Sequence, residues 1–372
     1  MQENIPVPFV DLKEQYLSLK EEIDSAVLSV MENAIFVGGE HVISFEKSFA
    51  NACGVKNCIG VSNGTDALYI ILKSLGIGAG DEVITVANTW ISTSETISQT
   101  GAKPVFVDIE PDYYSIDVSK IEEKITSNTK AIIPVHLYGQ MAEVDKISAL
   151  CKKHNLFLIE DCAQSHLSEY KGIKAGTTGI ASAFSFYPSK NLGAYGDGGA
   201  IISNDDSLAA KMRMFANHGA LLKHQHLIEG INSRLDTIQA AILNVKLPHL
   251  QRWNEQRLKN ALLYNELLKD VPEVSVPKIR PEAKHIFHLY VIRAEKRNEL
   301  MNHLTGKGIQ TQIHYPTILP LLPAYNYLNL KAENFPVASF YQDSILSLPM
   351  FPELTTEQIN LVAGIIKEFY SA

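Results

Sequence analysis

The sequence predicts an α/β fold: a large, mostly parallel sheet covered by helices, followed by a smaller α+β unit. Three observations predict it. Short apolar and β-branched runs alternate with segments of helical periodicity through the first two hundred residues. Several of these runs, among them Ala131–His136 and Leu156–Glu160, are apolar nearly throughout, as strands buried on both faces are. Polar residues gather directly after the runs, where strands of such a sheet end.

The bulk numbers bound the function. A chain of 372 residues exceeds what one core usually holds, and two units are expected, 1–250 and 251–372. With 46% hydrophobic and 20% charged residues, the composition is that of an ordinary soluble globular protein. A net charge of −8 argues against a nucleic-acid partner. No run of 18 apolar residues occurs, and the opening MQENIPVPFVDLKEQY lacks a basic segment followed by an apolar one, so neither a membrane span nor a secretion signal is expected. Cys53, Cys58, Cys151 and Cys162 show no metal-type pairing and no disulfide framework; free thiols in a reducing cytoplasm are expected.

The elements follow in order. Leu12, Tyr16, Leu19, Ile23, Val27 and Val30 recur at helical spacing and predict one helix over Asp11–Glu32, ended by Asn33 and Gly38-Gly39. Cys58–Val61 reads as a strand, then Ser62–Asp66 as a polar turn into a helix over Ala67–Leu75. Further strands are expected at Glu82–Val86, Pro104–Asp108, Ala131–His136 and Leu156–Glu160, with a helix over Glu143–His154. A helix over Asp205–Phe215, a histidine-bearing loop over His218–Gly230 and a helix with Leu235, Ile238, Ile242 and Val245 on one face complete the large unit. After Pro248 come a connecting helix (Trp253–Leu268), a strand (His285–Arg293), a helix (Lys296–Lys307), a second strand (Gly308–His314) and a proline-rich loop (Tyr315–Pro323). The last helix opens with Thr355, and Gln358 stands at capping-box spacing.

In such sheets ligands sit beyond the carboxyl ends of the strands. Five of those ends carry polar residues: Asn63–Asp66, Asn88–Trp90, His136, Asp161 with Gln164, and Ser185 through Lys190. In SFYPSKNLGAYGDGG a single lysine, Lys190, lies between an apolar run and four glycines. It is either a solvated loop charge or a desolvated amine able to act as a nucleophile. Asp161 ends an apolar strand, where a carboxylate caps the next helix or meets a cation such as a protonated ring nitrogen. Gly64, Thr65 and Asp66 at a helix start offer backbone N–H groups and a hydroxyl, to a phosphate or simply to the helix cap. Ser185 adds a hydroxyl, and Trp90 is either a core residue or a face for a flat ring. A lysine for a Schiff base, an acid for a pyridine nitrogen, a phosphate cradle and a stacking aromatic together describe a pyridoxal phosphate (PLP) site.

The chain resembles the DegT/DnrJ/EryC1/StrS family of PLP-dependent sugar aminotransferases over essentially its whole length. The matching stretches are PFVDL (8–12), SNGTDAL, GDEVI with NTW, Ala-Lys-Pro-Val-Phe-Val-Asp at 102–108, HLYGQ, IEDCAQ, FYPSKNLGAYGDGGA, NSRLDTIQAAIL and HYP at 314–316. The resemblance implies a PLP-dependent transferase of fold type I that works as a homodimer. It implies that Lys190 holds the cofactor covalently and moves the proton, that Asp161 pairs with the ring nitrogen and Gln164 with the ring hydroxyl, and that Trp90 stacks. It further implies that Gly64, Thr65, Asp66 (through its N–H) and Ser185 hold the phosphate, and that Asn232 reaches the phosphate in the neighbouring subunit. Some family members carry histidine in place of the lysine and act as dehydratases; Lys190 argues against that here.

NSRLD resembles the subgroup that aminates C3 of a keto sugar, and His136 in HLYGQ resembles enzymes for dTDP-3-keto-6-deoxyhexoses. The expected reaction is amination of such a sugar by L-glutamate, in making an amino sugar of a cell-surface polysaccharide such as O-antigen or S-layer glycan. The alternatives are UDP-2-acetamido-3-keto-glucuronic acid as substrate, a 4-keto sugar or a cyclitol, and a non-catalytic PLP-binding regulator. Arg234 is a candidate for a substrate phosphate or carboxylate, with a surface ion pair as its other reading. His314 and Tyr315 are candidates for the sugar pocket. His218, His224 and His226 lack the carboxylate or cysteine pattern of a metal site, and none is expected.

Overall fold

The computed structural model describes residues 6–371. Its centre is a seven-stranded sheet. Strands β1 (Asn57–Val61), β2 (Glu82–Val86), β3 (Lys103–Val107), β4 (Thr129–Ile133) and β5 (Phe157–Asp161) lead to a small hairpin, β6 (Glu169–Tyr170) and β7 (Ile173–Lys174), then to β8 (Ala181–Ser185) and β9 (Gly199–Ser203). The sheet order is β1-β9-β8-β5-β4-β2-β3. All neighbouring pairs are parallel except those made by β9, which runs antiparallel between β1 and β8.

Both faces of the sheet are buried, which explains the unbroken apolar runs. Val83, Ala131, Ile133 and Ile159 join a core with the helices Gly64–Ser74 and Asp206–Ala216. Their neighbours Ile84, Ile132 and Leu158 point into a second core on the opposite face. Successive side chains alternate between faces, so adjacent residues of one strand feed different cores.

The helix expected over Asp11–Glu32 is two helices, Leu12–Ser18 and Lys20–Asn33, broken at Leu19, whose backbone leaves helical geometry. Three further α-helices depart from the expectation: Pro336–Tyr341, which is short, and two in the first unit. Glu40–Cys53 buries Val42, Phe45, Phe49 and Cys53 along one face. Ser92–Gln99 is short and rich in hydroxyl side chains.

The second unit has strands β10 (Val274–Ser275), β12 (Tyr290–Ala294) and β13 (Ile345–Leu348), with β11 (Ala283–Lys284) pairing instead to β6. β10, β12 and β13 form an antiparallel sheet under the helices Arg297–Gly306 and Thr356–Ser371. Thr355 and Gln358 exchange side-chain and backbone hydrogen bonds, the reciprocal cap that their spacing predicts. The strand expected over His285–Arg293 starts only at Tyr290. Residues 285–288 are drawn to other partners, with the Ile286 N–H on the Gly139 carbonyl at 3.0 Å and the Arg257 guanidinium on the Phe287 and His288 carbonyls. Gly308–His314 forms no continuous strand either, because Ile309 bridges Val7 and Gln312 bridges Ser347. The helix Leu250–Leu268 leads into the second unit, but contacts cross between the two: β11 pairs with β6, Leu289, Val291 and Tyr325 share a core with Ile84 and Ile132, and Val7 is buried in the core of the second unit.

Candidate active site

The strand ends deliver side chains to one edge of the sheet. Asp161, last residue of β5, is only 5% exposed. Its Oδ2 accepts from the Thr93 hydroxyl at 2.7 Å and its Oδ1 from the Ala163 N–H at 3.1 Å. Burial raises its pKa; those two donors and the nearby Lys190 oppose the rise. Among the described residues no cation bonds this carboxylate. A buried carboxylate with acceptor capacity to spare fits a protonated pyridine nitrogen.

Lys190 lies in the loop between β8 and β9, its backbone N–H held by the Tyr187 carbonyl at 2.8 Å. The side chain keeps partial access to solvent, yet burial pulls its pKa down to about 8, with Asp161 pulling the other way. A sizeable fraction is therefore neutral just above pH 7, as a nucleophile and proton carrier requires. The loop is wound so tightly that a Cβ on Gly193 would lie 2.2 Å from the Pro188 carbonyl oxygen. The neighbouring Asn191 anchors it to the Asn254 side chain and the Ile286 carbonyl.

The phosphate end fits as well, with one correction. Asn63 caps the helix Gly64–Ser74 by accepting the Asp66 N–H on its side chain at 2.7 Å, so that N–H is already spent. The donors left at this first turn are the N–H groups of Gly64 and Thr65. Gly64 faces Ser185 so closely that a Cβ would lie 2.8 Å from the Ser185 Cβ. The Thr65 hydroxyl pairs with that of Ser92 at 2.7 Å.

Gln164 is buried; its oxygen accepts the Tyr138 N–H at 2.6 Å and its amide donates to the Tyr315 hydroxyl at 3.2 Å. Trp90 is 59% exposed, a large aromatic face left open beside Tyr315, with ring centroids 5.8 Å apart. His314 bonds Ser347 through Nδ1 at 2.8 Å, stacks on Phe9 and has its pKa lowered by burial to about 4. The Tyr138 hydroxyl donates to the His314 carbonyl, which joins this loop of the second unit to the site.

His136 requires a second correction. It is fully buried, its Nδ1 accepts the Ala142 N–H and its Nε2 bonds Glu160 at 2.8 Å, so neither nitrogen is left for a sugar. Glu160 also takes N–H groups from Gly176, Thr178 and Gly179. His136, Glu160 and Cys162 are close enough to hold a metal, but the carboxylate is saturated with donors and burial holds the thiol protonated. His136 thus supports the strand ends and does not line the sugar pocket.

Asn232 and Arg234 are exposed, and neither side chain bonds to the Lys190–Asp161 group within the chain. Arg234 donates to Asn217 at 3.3 Å, and the two residues stand beside Ser62. The sequence reading missed Ser92, Thr93, Tyr138 and Asn191. Tyr138 lies in HLYGQ and Asn191 in FYPSKNLGAYGDGGA, and Thr93 lies close to NTW, but none of these positions marks a role by itself.

The chain matches the DegT/DnrJ/EryC1/StrS aminotransferase family over residues 17–367. It belongs to that family. The DegT/DnrJ/EryC1/StrS chain is thus a PLP-dependent aminotransferase of fold type I. It is 48% identical to a Geobacillus stearothermophilus "pleiotropic regulatory protein", over 98% of each chain. It is 42% identical to the dTDP-3-amino-3,6-dideoxy-alpha-D-galactopyranose transaminase of Aneurinibacillus thermoaerophilus, over 98% of this chain and 99% of that one. It is 41% identical to the UDP-2-acetamido-2-deoxy-3-oxo-D-glucuronate aminotransferase of Pseudomonas aeruginosa, over 96% and 99%. Among solved structures, S. venezuelae DesV in complex with a ketimine intermediate superposes with a TM-score of 0.96 at 40% identity, covering 99% of both chains.

Proposed function

We propose that this enzyme transfers the amine of L-glutamate to C3 of a nucleotide-linked keto sugar, foremost a dTDP-3-keto-6-deoxyhexose. The product would serve as an amino sugar of a cell-surface polysaccharide. One observation carries the chemistry: Asp161, buried and accepting from two donors, lies near a Lys190 whose pKa burial lowers to about 8, so that part of its amine is neutral at physiological pH.

Bound PLP supplies an electron sink for bonds to the carbon that carries the nitrogen. The residues of the chain do the rest. Asp161 would keep a ring nitrogen protonated, Gly64, Thr65 and Ser185 would hold the phosphate, and Trp90 would cover a ring face. Gln164 would meet the ring hydroxyl, and Lys190 Nζ would be the group that carries the proton. His314 and Tyr315 border the space left for the sugar.

The C3 assignment rests on NSRLD and on the dTDP and UDP relatives, whose names place the nitrogen or the oxo group at position 3. The Pseudomonas relative favours a second reading, a UDP-linked 3-keto uronic acid. The presence of Lys190 and Asp161 supports catalysis over a purely regulatory role.

This reading includes a cytoplasmic homodimer whose subunits share active sites. Leu28, Met31, Ile35, Phe36 and Val37 are each at least 45% exposed, five apolar side chains within ten residues that a partner subunit would cover. Val37 bridges Asp236, so this surface adjoins Asn232 and Arg234, which would reach a neighbouring site.

The test is turnover of the purified protein with glutamate against 3-keto and 4-keto sugars of both nucleotides. Amination of a 3-keto dTDP sugar is the expected result. Turnover confined to a 4-keto sugar would overturn the C3 assignment.

A further inference from the structure

The helix Ser92–Gln99 is unusual in being buried and polar together. Ser92, Thr93 and Ser94 are 8%, 1% and 0% exposed. Buried hydroxyls cost free energy unless partnered, and serine and threonine are weak helix formers because they compete for backbone groups. Apolar side chains would pack here at lower cost. Each hydroxyl has its own partner instead, and the three partners belong to different parts of the site. Ser92 pairs with Thr65 in the phosphate cradle at 2.7 Å. Thr93 donates to Asp161 at 2.7 Å. Ser94 pairs with the Tyr325 hydroxyl of the second unit at 2.6 Å. Trp90, two residues ahead of the helix, supplies the open aromatic face.

We propose that Ser92, Thr93 and Ser94 are positioning residues for transamination: one rigid turn sets the phosphate cradle, the ring-nitrogen acid and the second unit relative to one another, and Thr93 keeps Asp161 ionised. The proposal rests on the PLP-site reading above. Its chemistry is simple. A hydroxyl donor to an ionised carboxylate is worth more than a neutral hydrogen bond, and it leaves the carboxylate further lone pairs for the ring nitrogen. Without it, burial acts on Asp161 less opposed, and the acid is neutral over a wider pH range.

The two ends of the turn make different demands, so the experiment separates them. PLP dissociation constants and glutamate-driven amine transfer at saturating PLP are measured for the wild type, Thr93→Val, Thr93→Ser and Ser92→Ala, the transfer rate as a function of pH. For Thr93→Val the transfer rate falls roughly tenfold and the acid limb of its pH profile moves up by about one unit, with little change in PLP affinity. Thr93→Ser, which restores the donor without the methyl group, returns both toward wild type. Ser92→Ala weakens PLP binding roughly threefold to tenfold, and its saturated rate falls less than that of Thr93→Val. A Thr93→Val profile identical to wild type would overturn the proposal and leave the PLP-site reading standing. So would a Thr93→Ser variant as impaired as Thr93→Val. A wild type that neither binds PLP nor responds to glutamate would overturn both.

Discussion

A Cβ built on Gly199 would lie 2.4 Å from the carbonyl carbon of Asn63. Gly199 opens β9, the antiparallel strand, and Asn63 caps the helix that offers its first turn to the phosphate. Gly199→Ala must therefore push this helix start away from the sheet. Overpacking of this kind costs about 1–3 kcal/mol. A lower unfolding temperature and weaker PLP binding are expected, measured by calorimetry and cofactor titration.

Gln164 ties two loops that meet at the site. Gln164→Ala leaves the buried Tyr138 N–H without its acceptor, a loss of about 1–3 kcal/mol. It also releases the Tyr315 hydroxyl. Urea unfolding of the cofactor-free protein should show the destabilisation, which separates it from any effect on cofactor binding.

A second lysine reports on pH. Lys246 is fully buried, donates to the Gly193 carbonyl at 2.8 Å beside the Tyr195 ring, and has its pKa lowered by burial to about 7. Between pH 7 and its unfolded value near 10.5 the unfolded chain binds more protons at this group than the folded one does. Stability must therefore rise with pH across this window as far as Lys246 is concerned, and below pH 7 its full cost is present. Above about pH 9 the four buried cysteines act in the opposite sense, since burial raises their pKa values. Comparing the stability of Lys246→Met and wild type from pH 7 to 9 isolates the group. The variant should show the flatter slope.

The sequence revealed the parallel strands because burial on both faces leaves an apolar run that needs no context to read. Lys190 and Asp161 are visible for a related reason: a charged residue that closes an apolar strand, as Asp161 does, or stands between an apolar run and a cluster of glycines, as Lys190 does, is conspicuous. The helix Ser92–Gln99 was not visible, since STSETISQ carries one aliphatic side chain and its burial comes from partners distant in the chain. The helix Glu40–Cys53 carries a periodic signal in Val42, Phe45, Phe49 and Cys53, directly after Gly38-Gly39, which reads as the end of the first helix. His136 misled because strand-end position does not fix orientation, and only the structure shows its ring committed to Glu160.

Asn232 tests the shared site. Its side chain is exposed and makes no hydrogen bond to Lys190 or Asp161 in its own chain, and its proposed action is on a neighbouring subunit. Lys190→Ala and Asn232→Ala proteins, each impaired alone, should recover turnover when unfolded together and refolded as mixed dimers. Mixed dimers carry one site with both wild-type residues. Failure to recover activity in verified mixed dimers would place Asn232 outside the active site.

The central claim is that Lys190 holds the cofactor and moves the proton. The direct measurement is the visible absorbance of Lys190→Ala with PLP, together with its glutamate-dependent turnover. The predicted result is loss of the wild-type absorbance band and a fall in turnover of roughly a hundredfold to ten-thousandfold, with the fold intact by circular dichroism. A variant that keeps the wild-type band and full turnover would contradict the account.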